Sequence, residues 1–184
     1  MQQYLEVVQR VLETGQRKPN RTGVDTLSTF NVNYQVDLRQ GFPLLTTKEI
    51  SWKNIVVENL WFLSGDTRID LLRRHNCRFW EPWADEAGRV PSAYGNFWRH
   101  FPVHQDGQSG FNDQIRWVID ELCQHPQSRR LVVSAWAPGN AQSSALPPCH
   151  AFWVLNVQHD EEGAPLLCLH LTQRSCDVAL GLPY

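Results

Sequence analysis

The sequence lacks the features that mark several large classes of protein. It contains no Cys-x-x-Cys pair, and its five cysteines lie at positions 77, 123, 149, 168 and 176. The N-terminal residues are amphipathic and do not resemble a signal sequence, so we expect a reduced, cytoplasmic chain. No ligand pair has the spacing of a structural zinc site, so we predict no metal. No apolar run approaches the ~20 residues of a membrane span.

The chain also carries little net charge. Its 17 Lys and Arg residues nearly balance 19 Asp and Glu residues, giving a formal charge of −2. Without an overall positive field, nucleic acid is not expected as the main partner. Clusters of arginine can still bind a small anion.

Apolar periodicity predicts helices and strands in succession along the chain. Helices are predicted around residues 4–12, over about 15 residues following 48, and from 112 or 113 to 125. Strands are predicted over 30–38, 129–136, from 149 onward, and 166–174. Asp66 or Thr67 is predicted to cap a short helix. Residues 76–111 have little periodicity, and we predict a functional loop region there.

These patterns indicate the α+β class and a single domain over residues 1–184. No repeat, low-complexity segment or internal domain boundary is visible in the sequence. The chain ends in the apolar stretch "VALGLPY". Since domains usually end at a solvated surface, we expect a fragment truncated at its C-terminus.

Hairpin geometry predicts what lies opposite Cys149. If the turn centres near Glu161–Glu162, Cys149 is opposite Arg174, within about two residues. A guanidinium near a thiol lowers its pKa, and the thiolate is a nucleophile. The alternative is that Cys149 is simply buried, as most cysteines are. The rigid corner Pro147–Pro148 favours the first interpretation, because it fixes where the next side chain points.

Four arginines lie at the ends of predicted elements: Arg21, Arg129, Arg130 and Arg174. Guanidinium groups that converge can bind phosphate through paired hydrogen bonds. Ser175 adds a hydroxyl of the kind that phosphate sites use. The alternative is that each arginine is a separate solvated charge.

Other polar and aromatic residues are candidates for the same site. Glu58 interrupts an apolar helix, which requires either a partner or a raised pKa. Tyr94 is either a hydroxyl donor or a packing residue. Asp177, two residues after Ser175, is predicted to lie on the same strand face as that serine. Trp80 and Trp83 lie in the polar stretch "FWEPWADE" and indicate the wall of a cleft.

A papain-like hydrolase is disfavoured by the position of the nearest histidine. His150 directly follows Cys149, and neighbouring residues on a strand point to opposite faces. His150 is therefore a poor general base for this thiol.

Taken together, the motifs resemble the thymidylate synthase family over essentially the whole chain. The stretches that carry the resemblance are "NRTG" (20–23), "GFPLLTTK" (41–48), "ENLWFLSGDT" (58–67), "WADE" (83–86), "YGNFWR" (94–99), "SRRLVVSAW" (128–136), "LPPCHAF" (146–152) and "QRSCDVALGLPY" (173–184). The motifs "PPCH" (147–150) and "QRSCD" (173–177), with 23 residues between Cys149 and Gln173, are highly specific.

The resemblance implies a methyltransferase that converts dUMP to dTMP, with 5,10-methylenetetrahydrofolate as one-carbon donor and reductant. It implies a large, mostly antiparallel or mixed sheet with helices on one face, stacked against a second copy in a homodimer. Cys149 is then the nucleophile that adds to C6 of the uracil ring.

The resemblance also implies roles for the other candidates. The implied phosphate ligands are Arg21, Arg174 and Ser175, with Arg129 and Arg130 donated across the dimer. Glu58 is implied to organise proton transfer, Tyr94 to assist removal of the C5 proton, and Gln173 to lie beside the nucleotide. On the folate side, the resemblance implies Asp177, Trp80 and Trp83.

Several positions depart from the family pattern. They are Val57, Asn59, Phe79, Glu81, Pro82, Ser92, Ala93 and Ala137. The family's residue after the position of Tyr184 is an asparagine that reads the pyrimidine edge. Since this residue lies beyond the sequence, two alternatives stay open: a dUMP or (d)CMP 5-hydroxymethylase, which adds water in place of hydride, and a non-catalytic nucleotide-binding remnant.

Overall fold

The computed structural model describes residues 1–141 and 144–183, and the chain divides into two compact units. The terminal unit consists of Met1–Ser51 and Cys176–Tyr184, and the central unit of Trp52–Ser175. Helices and antiparallel strands follow one another along the chain, which confirms the α+β class. That residues 1–184 act as a single catalytic domain stays a prediction.

The terminal unit begins with the amphipathic helix α1 (Gln2–Thr14). This is the helix predicted around residues 4–12. It ends before Gly15, and its apolar stripe buries Val7. A short antiparallel hairpin follows, formed by β1 (Gln16–Lys18) and β2 (Thr26–Ser28).

The predicted strand over residues 30–38 is wrong. Within the described part of the chain no strand pairs with this segment, and Phe30 is 92% exposed. Asn31 has a φ of 59°, a left-handed conformation that interrupts an extended run. Alternating apolar residues form a strand only where a neighbour supplies hydrogen bonds. The segment ends in a 3₁₀ turn, Leu38–Gln40, which the Asp37 side chain caps.

The helices of the central unit are α2 (Trp52–Ser64), α3 (Asp70–Arg74), α4 (Tyr94–Arg99), α5 (Gln114–Gln124) and α6 (Pro138–Ala141). The long apolar helix predicted after residue 48 is α2, which buries Val57, Trp61 and Phe62. Asp113 caps α5 and His125 ends it, both as predicted.

The predicted cap of α3 is wrong. Ile69 occupies the position before the helix, and no side chain caps it. Asp66 instead accepts a 2.8 Å hydrogen bond from the backbone N–H of Arg68, which forms a local turn. The Thr67 carbonyl accepts the N–H of Val90, so this segment is held by the chain opposite it.

Residues 76–111 contain more regular structure than predicted. A 3₁₀ turn (Glu81–Trp83) and α4 are followed by an antiparallel hairpin of β3 (Phe101–Gln105) and β4 (Gln108–Asn112). Asp106–Gly107 joins the strands with φ values of 52° and 77°. Tight hairpins favour such an Asp-Gly pair, because both central residues need positive φ.

A three-stranded antiparallel sheet carries the second half of the central unit. Its strands, in spatial order, are β5 (Val132–Ser134), β6 (His150–His159) and β7 (Pro165–Gln173). Helix α5 packs on one face, where Val118 meets Val133. The predicted strands of this sheet are confirmed, and its stacking against a second copy stays a prediction.

A mainly aromatic cluster joins α2 to α4. The fully or nearly buried rings are Trp61, Phe62, Trp80, Tyr94 and Phe97. Their edge-to-face contacts fix the two helices that carry Glu58 and Tyr94. None of the helices in the described residues has the length and apolar character needed to cross a bilayer.

Candidate active site

Cys149 lies at the mouth of the β6–β7 hairpin, directly opposite Arg174. The backbone N–H of Arg174 donates a 2.9 Å hydrogen bond to the Cys149 carbonyl, and His150 pairs with Gln173 in the next position. The predicted register of this hairpin is therefore confirmed. Cys149 is half-buried rather than sealed in the core.

The Arg174 guanidinium holds the corner that precedes the cysteine. It donates to the carbonyls of Pro147 at 2.8 Å and Pro148 at 2.9 Å, and it lies 5.2 Å from the centre of the Trp136 ring. The Cys149 sulfur also contacts the Pro147 carbonyl, at 4.0 Å. Guanidinium and thiol thus share one oxygen, whereas an effect of the guanidinium on thiol ionisation stays a prediction.

Tyr94 fixes the cysteine from the other side. The Cys149 N–H donates a 3.0 Å hydrogen bond to the Tyr94 hydroxyl oxygen. The Tyr94 ring stacks on His150 with centroids 4.9 Å apart, and it meets Phe62 edge to face, also at 4.9 Å. Burial raises the pKa of Tyr94, and the N–H bond from Cys149 partly opposes the shift.

Glu58 is a half-buried carboxyl whose partner is Trp80. The indole N–H of Trp80 donates to Glu58 Oε1 at 2.5 Å. Burial raises the pKa of Glu58, and this hydrogen bond lowers it by a smaller amount. The charge of Glu58 also contributes to the raised pKa values of Tyr94 and Cys77. A carboxyl with a raised pKa in this position suits proton transfer.

His150 is held neutral by its surroundings. Burial lowers its pKa, and its ring faces the Tyr94 ring. A neutral imidazole offers one donor and one acceptor to a polar neighbour. The sequence did not predict the contact of His150 with Tyr94, because the tyrosine lies 56 positions earlier in the chain.

The structure links the predicted residues only in part. Glu58, Trp80, Tyr94, Cys149 and Arg174 form one continuous series of contacts. The pair Arg129 and Arg130, both exposed, lines a surface cleft of about 720 Å³ with Glu121, His125, Pro126, Gln127 and Ser128. None of these cleft residues belongs to the series.

Four further predicted residues stand beside or outside the series. Gln173 is half-buried next to His150, and Ser175 is exposed at the end of the central unit. Arg21 and Asp177 belong to the terminal unit, where Asp177 Oδ1 accepts the N–H groups of two later residues and so closes a local turn. The binding roles of all four stay predictions.

The two tryptophans predicted for the folate side differ in exposure. Trp80 is only 7% exposed and packs inside the aromatic cluster. Trp83 is half-buried at the edge of the same cluster, so part of its ring is open to a flat ligand. Trp80 contacts Glu58 through its indole N–H, and the folate-side roles of both tryptophans stay predictions.

Several departures from the family pattern have visible structural roles. Val57 and Ala93 are buried in the aromatic cluster, and the Asn59 amide donates to a carbonyl one turn earlier in α2. Glu81 forms a bidentate ion pair with Arg73, at 2.9 and 2.8 Å, which holds the turn that carries Trp83. In the described residues, no group of three or more His, Cys, Asp or Glu could hold a metal ion.

Known proteins are similar to this chain over nearly its whole length. The family model described as thymidylate synthase matches residues 2–184. The chain belongs to the thymidylate synthase family. It is 48% identical over 197 residues to a thymidylate synthase from Haloferax volcanii, an alignment that covers 97% of this chain. The chain spans 56% of the length of that relative, so it corresponds to about half of a thymidylate synthase.

Proposed function

We propose that this chain supplies the catalytic cysteine of a thymidylate synthase, which converts dUMP to dTMP. Family membership supports a methyltransferase of dTMP biosynthesis. The observation that carries the proposal is the position of Cys149, held between the guanidinium of Arg174 and the hydroxyl of Tyr94. Both neighbours hold the backbone of the corner that carries the sulfur, and Cys149 is only half-buried there.

Cys149 is the proposed nucleophile. Its thiolate forms a bond to C6 of the uracil ring, and the electron pair of the C5–C6 double bond moves to C5 and the adjacent carbonyl. C5 then forms a bond to the methylene carbon of the folate, and loss of the C5 proton expels the folate nitrogen from that carbon. Hydride addition to the resulting exocyclic methylene gives the methyl group, and the C5–C6 double bond re-forms as the thiolate departs. 5,10-Methylenetetrahydrofolate supplies the one-carbon unit and the hydride that completes the methyl group.

Glu58 and Tyr94 are the proposed groups for proton transfer. Burial raises the pKa of Glu58, which favours its protonated form and suits a carboxyl that both donates and accepts a proton. The Tyr94 hydroxyl oxygen accepts the Cys149 N–H, and this contact supports a role for the hydroxyl beside the reacting atoms. Trp80 orients the carboxyl by its indole hydrogen bond.

The phosphate of the nucleotide is proposed to bind Arg21, Arg174 and Ser175. Arg129 and Arg130 are proposed to act on the phosphate in the site of a second copy. Both arginines are exposed and lie outside the series of contacts that contains Cys149, which supports a role in the site of a second copy. Gln173 is proposed to lie beside the pyrimidine, and Asp177 beside the folate.

A homodimer is proposed to form through one face of the three-stranded sheet. Directly opposed residues of antiparallel strands share a face. Trp153 and its partner Val133 face α5, whereas Val132 and Phe152 lie on the other face. These two apolar residues are 40% and 38% exposed, and α5 packs on the other face, which favours a partner on the face of Val132 and Phe152. A cytoplasmic location is proposed because the five cysteines are an odd number and include no Cys-x-x-Cys pair.

One assay distinguishes this function from its alternatives. The chain is incubated with methylenetetrahydrofolate and either dUMP or dCMP tritiated at C5. Where the chain alone does not fold, it is refolded together with the remaining part of the Haloferax volcanii relative. Tritium release from dUMP together with dTMP formation supports the proposal. Release from dCMP, or a hydroxymethyl product, supports the hydroxymethylase. Nucleotide binding without release from either substrate supports the non-catalytic alternative.

A further inference from the structure

Gln114, the first residue of α5, makes a buried polar junction that the proposed mechanism does not use. Its side chain is 8% exposed. The amide nitrogen donates to the carbonyls of Phe97 and Ser134, both at 2.8 Å, and the amide oxygen accepts the N–H of Ser134 at 2.9 Å. One side chain thereby ties α4, α5 and β5 together with three hydrogen bonds.

The two backbones that Gln114 joins both lead to the cysteine. Phe97 is in α4, which begins at Tyr94. Beyond Ser134, two successive N–H groups, those of residues 135 and 136, donate to the carbonyl of Ala151 at 2.9 and 3.1 Å. Ala151 is two residues past Cys149.

These contacts close a ring. It runs from Cys149 through its hydrogen bond to Tyr94, along α4, across Gln114 to β5, and back to the start of β6. The Tyr94–Cys149 bond is the contact in this ring that touches the proposed reaction. The hydrogen bonds of Gln114 lie on the opposite side of this closed series of contacts. They therefore help to set the distance between α4 and the corner that carries Cys149.

We propose that Gln114 is a positioning residue that holds the Tyr94 hydroxyl against the Cys149 N–H. The proposal rests on the roles proposed above for Tyr94 and Cys149. Gln114 itself does not touch the sulfur, and it acts through the placement of α4. Buried amides whose donors and acceptors are all paired are well suited to this task, because any displacement leaves a polar group unpaired.

Contacts other than those of Gln114 also hold this junction together. Arg99 of α4 forms an ion pair with Asp113, at 2.8 and 2.9 Å, immediately before α5. On the inner face of α5, Ile115 and Val118 pack into the core. Loss of the Gln114 amide is therefore expected to loosen the ring locally rather than unfold the unit.

Amide hydrogen exchange at Cys149 tests the proposal without substrate or turnover. In Gln114→Met, the Cys149 N–H is expected to exchange about fivefold to tenfold faster, relative to the Val90 N–H as internal reference, as for loss of one hydrogen bond. Tyr94→Phe should show the same increase. The double variant should exceed neither single variant, because both changes break the same bond. Val118→Ala, a buried change in the same helix, should leave the ratio unchanged.

A second variant adds a pH profile. In Gln114→Glu, the neutral carboxyl keeps one donor, whereas the ionised form has none and faces two carbonyl oxygens. After correction for intrinsic rates, Cys149 should be protected at pH 5 and lose protection at pH 8. Each of three results would overturn the proposal. In the double variant, the increases in the exchange rate of Cys149 multiply. In Gln114→Met, the exchange rate of Cys149 relative to Val90 is unchanged, or in Gln114→Glu it does not depend on pH. A chain that exchanges as expected but releases no tritium would contradict the proposed function instead.

Discussion

The backbone N–H of Cys149 donates a 3.0 Å hydrogen bond to the hydroxyl oxygen of Tyr94, 55 residues earlier in the chain. This bond connects the hairpin corner to the start of α4. The bond uses the backbone N–H of Cys149 and not its sulfur, so it orients the proposed nucleophile without occupying it. Arg174 holds the same corner from the opposite strand.

Tyr94→Phe is expected to lower both stability and activity. Phenylalanine keeps the ring contacts with Phe62 and His150, but it leaves the Cys149 N–H without its acceptor. A buried unpaired N–H costs about 1–3 kcal/mol, measured as the free energy of unfolding in urea. Turnover should fall by about 10²–10⁴ if the hydroxyl transfers a proton.

The matched control is Tyr34→Phe, which makes the same chemical change at a position 48% exposed in the terminal unit. It should alter stability by less than about 0.5 kcal/mol. Equal losses in the two variants would contradict the specific role of the Tyr94 hydroxyl.

Glu58→Gln is expected to separate stability from activity. Burial raises the pKa of Glu58 in the folded chain, so its favourable contribution to folding is present in acid and is lost as pH rises through that pKa. The neutral amide escapes this loss. The variant should therefore be more stable than the parent at pH 8 and equal to it near pH 4, while turnover falls by about 10²-fold or more. Lower stability at pH 8 would contradict the account.

The contribution of Asp113 to stability is expected to depend on pH in the opposite direction to that of Glu58. Although burial opposes the shift, bonds from the Arg116 N–H and the Arg99 guanidinium hold the pKa of Asp113 below its usual range. Its contribution to stability is present above the unfolded-state pKa and is lost as pH falls through the folded-state pKa. Asp113→Ala should cost about 1 kcal/mol at pH 7, chiefly from the lost cap, and less at pH 2–3. Urea unfolding at both pH values measures the difference.

The local geometry of the site was predictable from the sequence, whereas its side-chain contacts were not. Counting outward from the turn placed Cys149 opposite Arg174, because strand register follows from turn position. The same counting could not show that the guanidinium binds the carbonyls of Pro147 and Pro148. That outcome depends on which carbonyls the folded chain leaves without a strand partner.

Contacts distant in sequence explain the remaining differences. Trp80, in a polar stretch, was expected at a surface, but the carboxyl of Glu58 and the surrounding rings bury it. The alternation over residues 30–38 predicted a strand, but a left-handed residue and the lack of a described pairing strand prevent it. Local periodicity carries no information about either partner.

The proposed dimer face is tested by two substitutions on one sheet. Phe152→Asp places a charge on the face proposed to meet a second copy, whereas Leu169→Asp places it on the opposite face at a residue 60% exposed. Sedimentation should show a dimer for the parent and for Leu169→Asp, and a monomer for Phe152→Asp. Dissociation by Leu169→Asp alone would assign the interface to the other face.

The central claim is that the Cys149 sulfur attacks C6 of the nucleotide. It is tested most directly by incubating the parent and Cys149→Ser with 5-fluoro-dUMP and methylenetetrahydrofolate, and measuring the intact mass of the protein. The parent should gain the mass of nucleotide plus folate, on the peptide that contains Cys149, while Cys149→Ser binds dUMP but gains no mass. An adduct on another residue, or an adduct that persists in Cys149→Ser, would contradict the account.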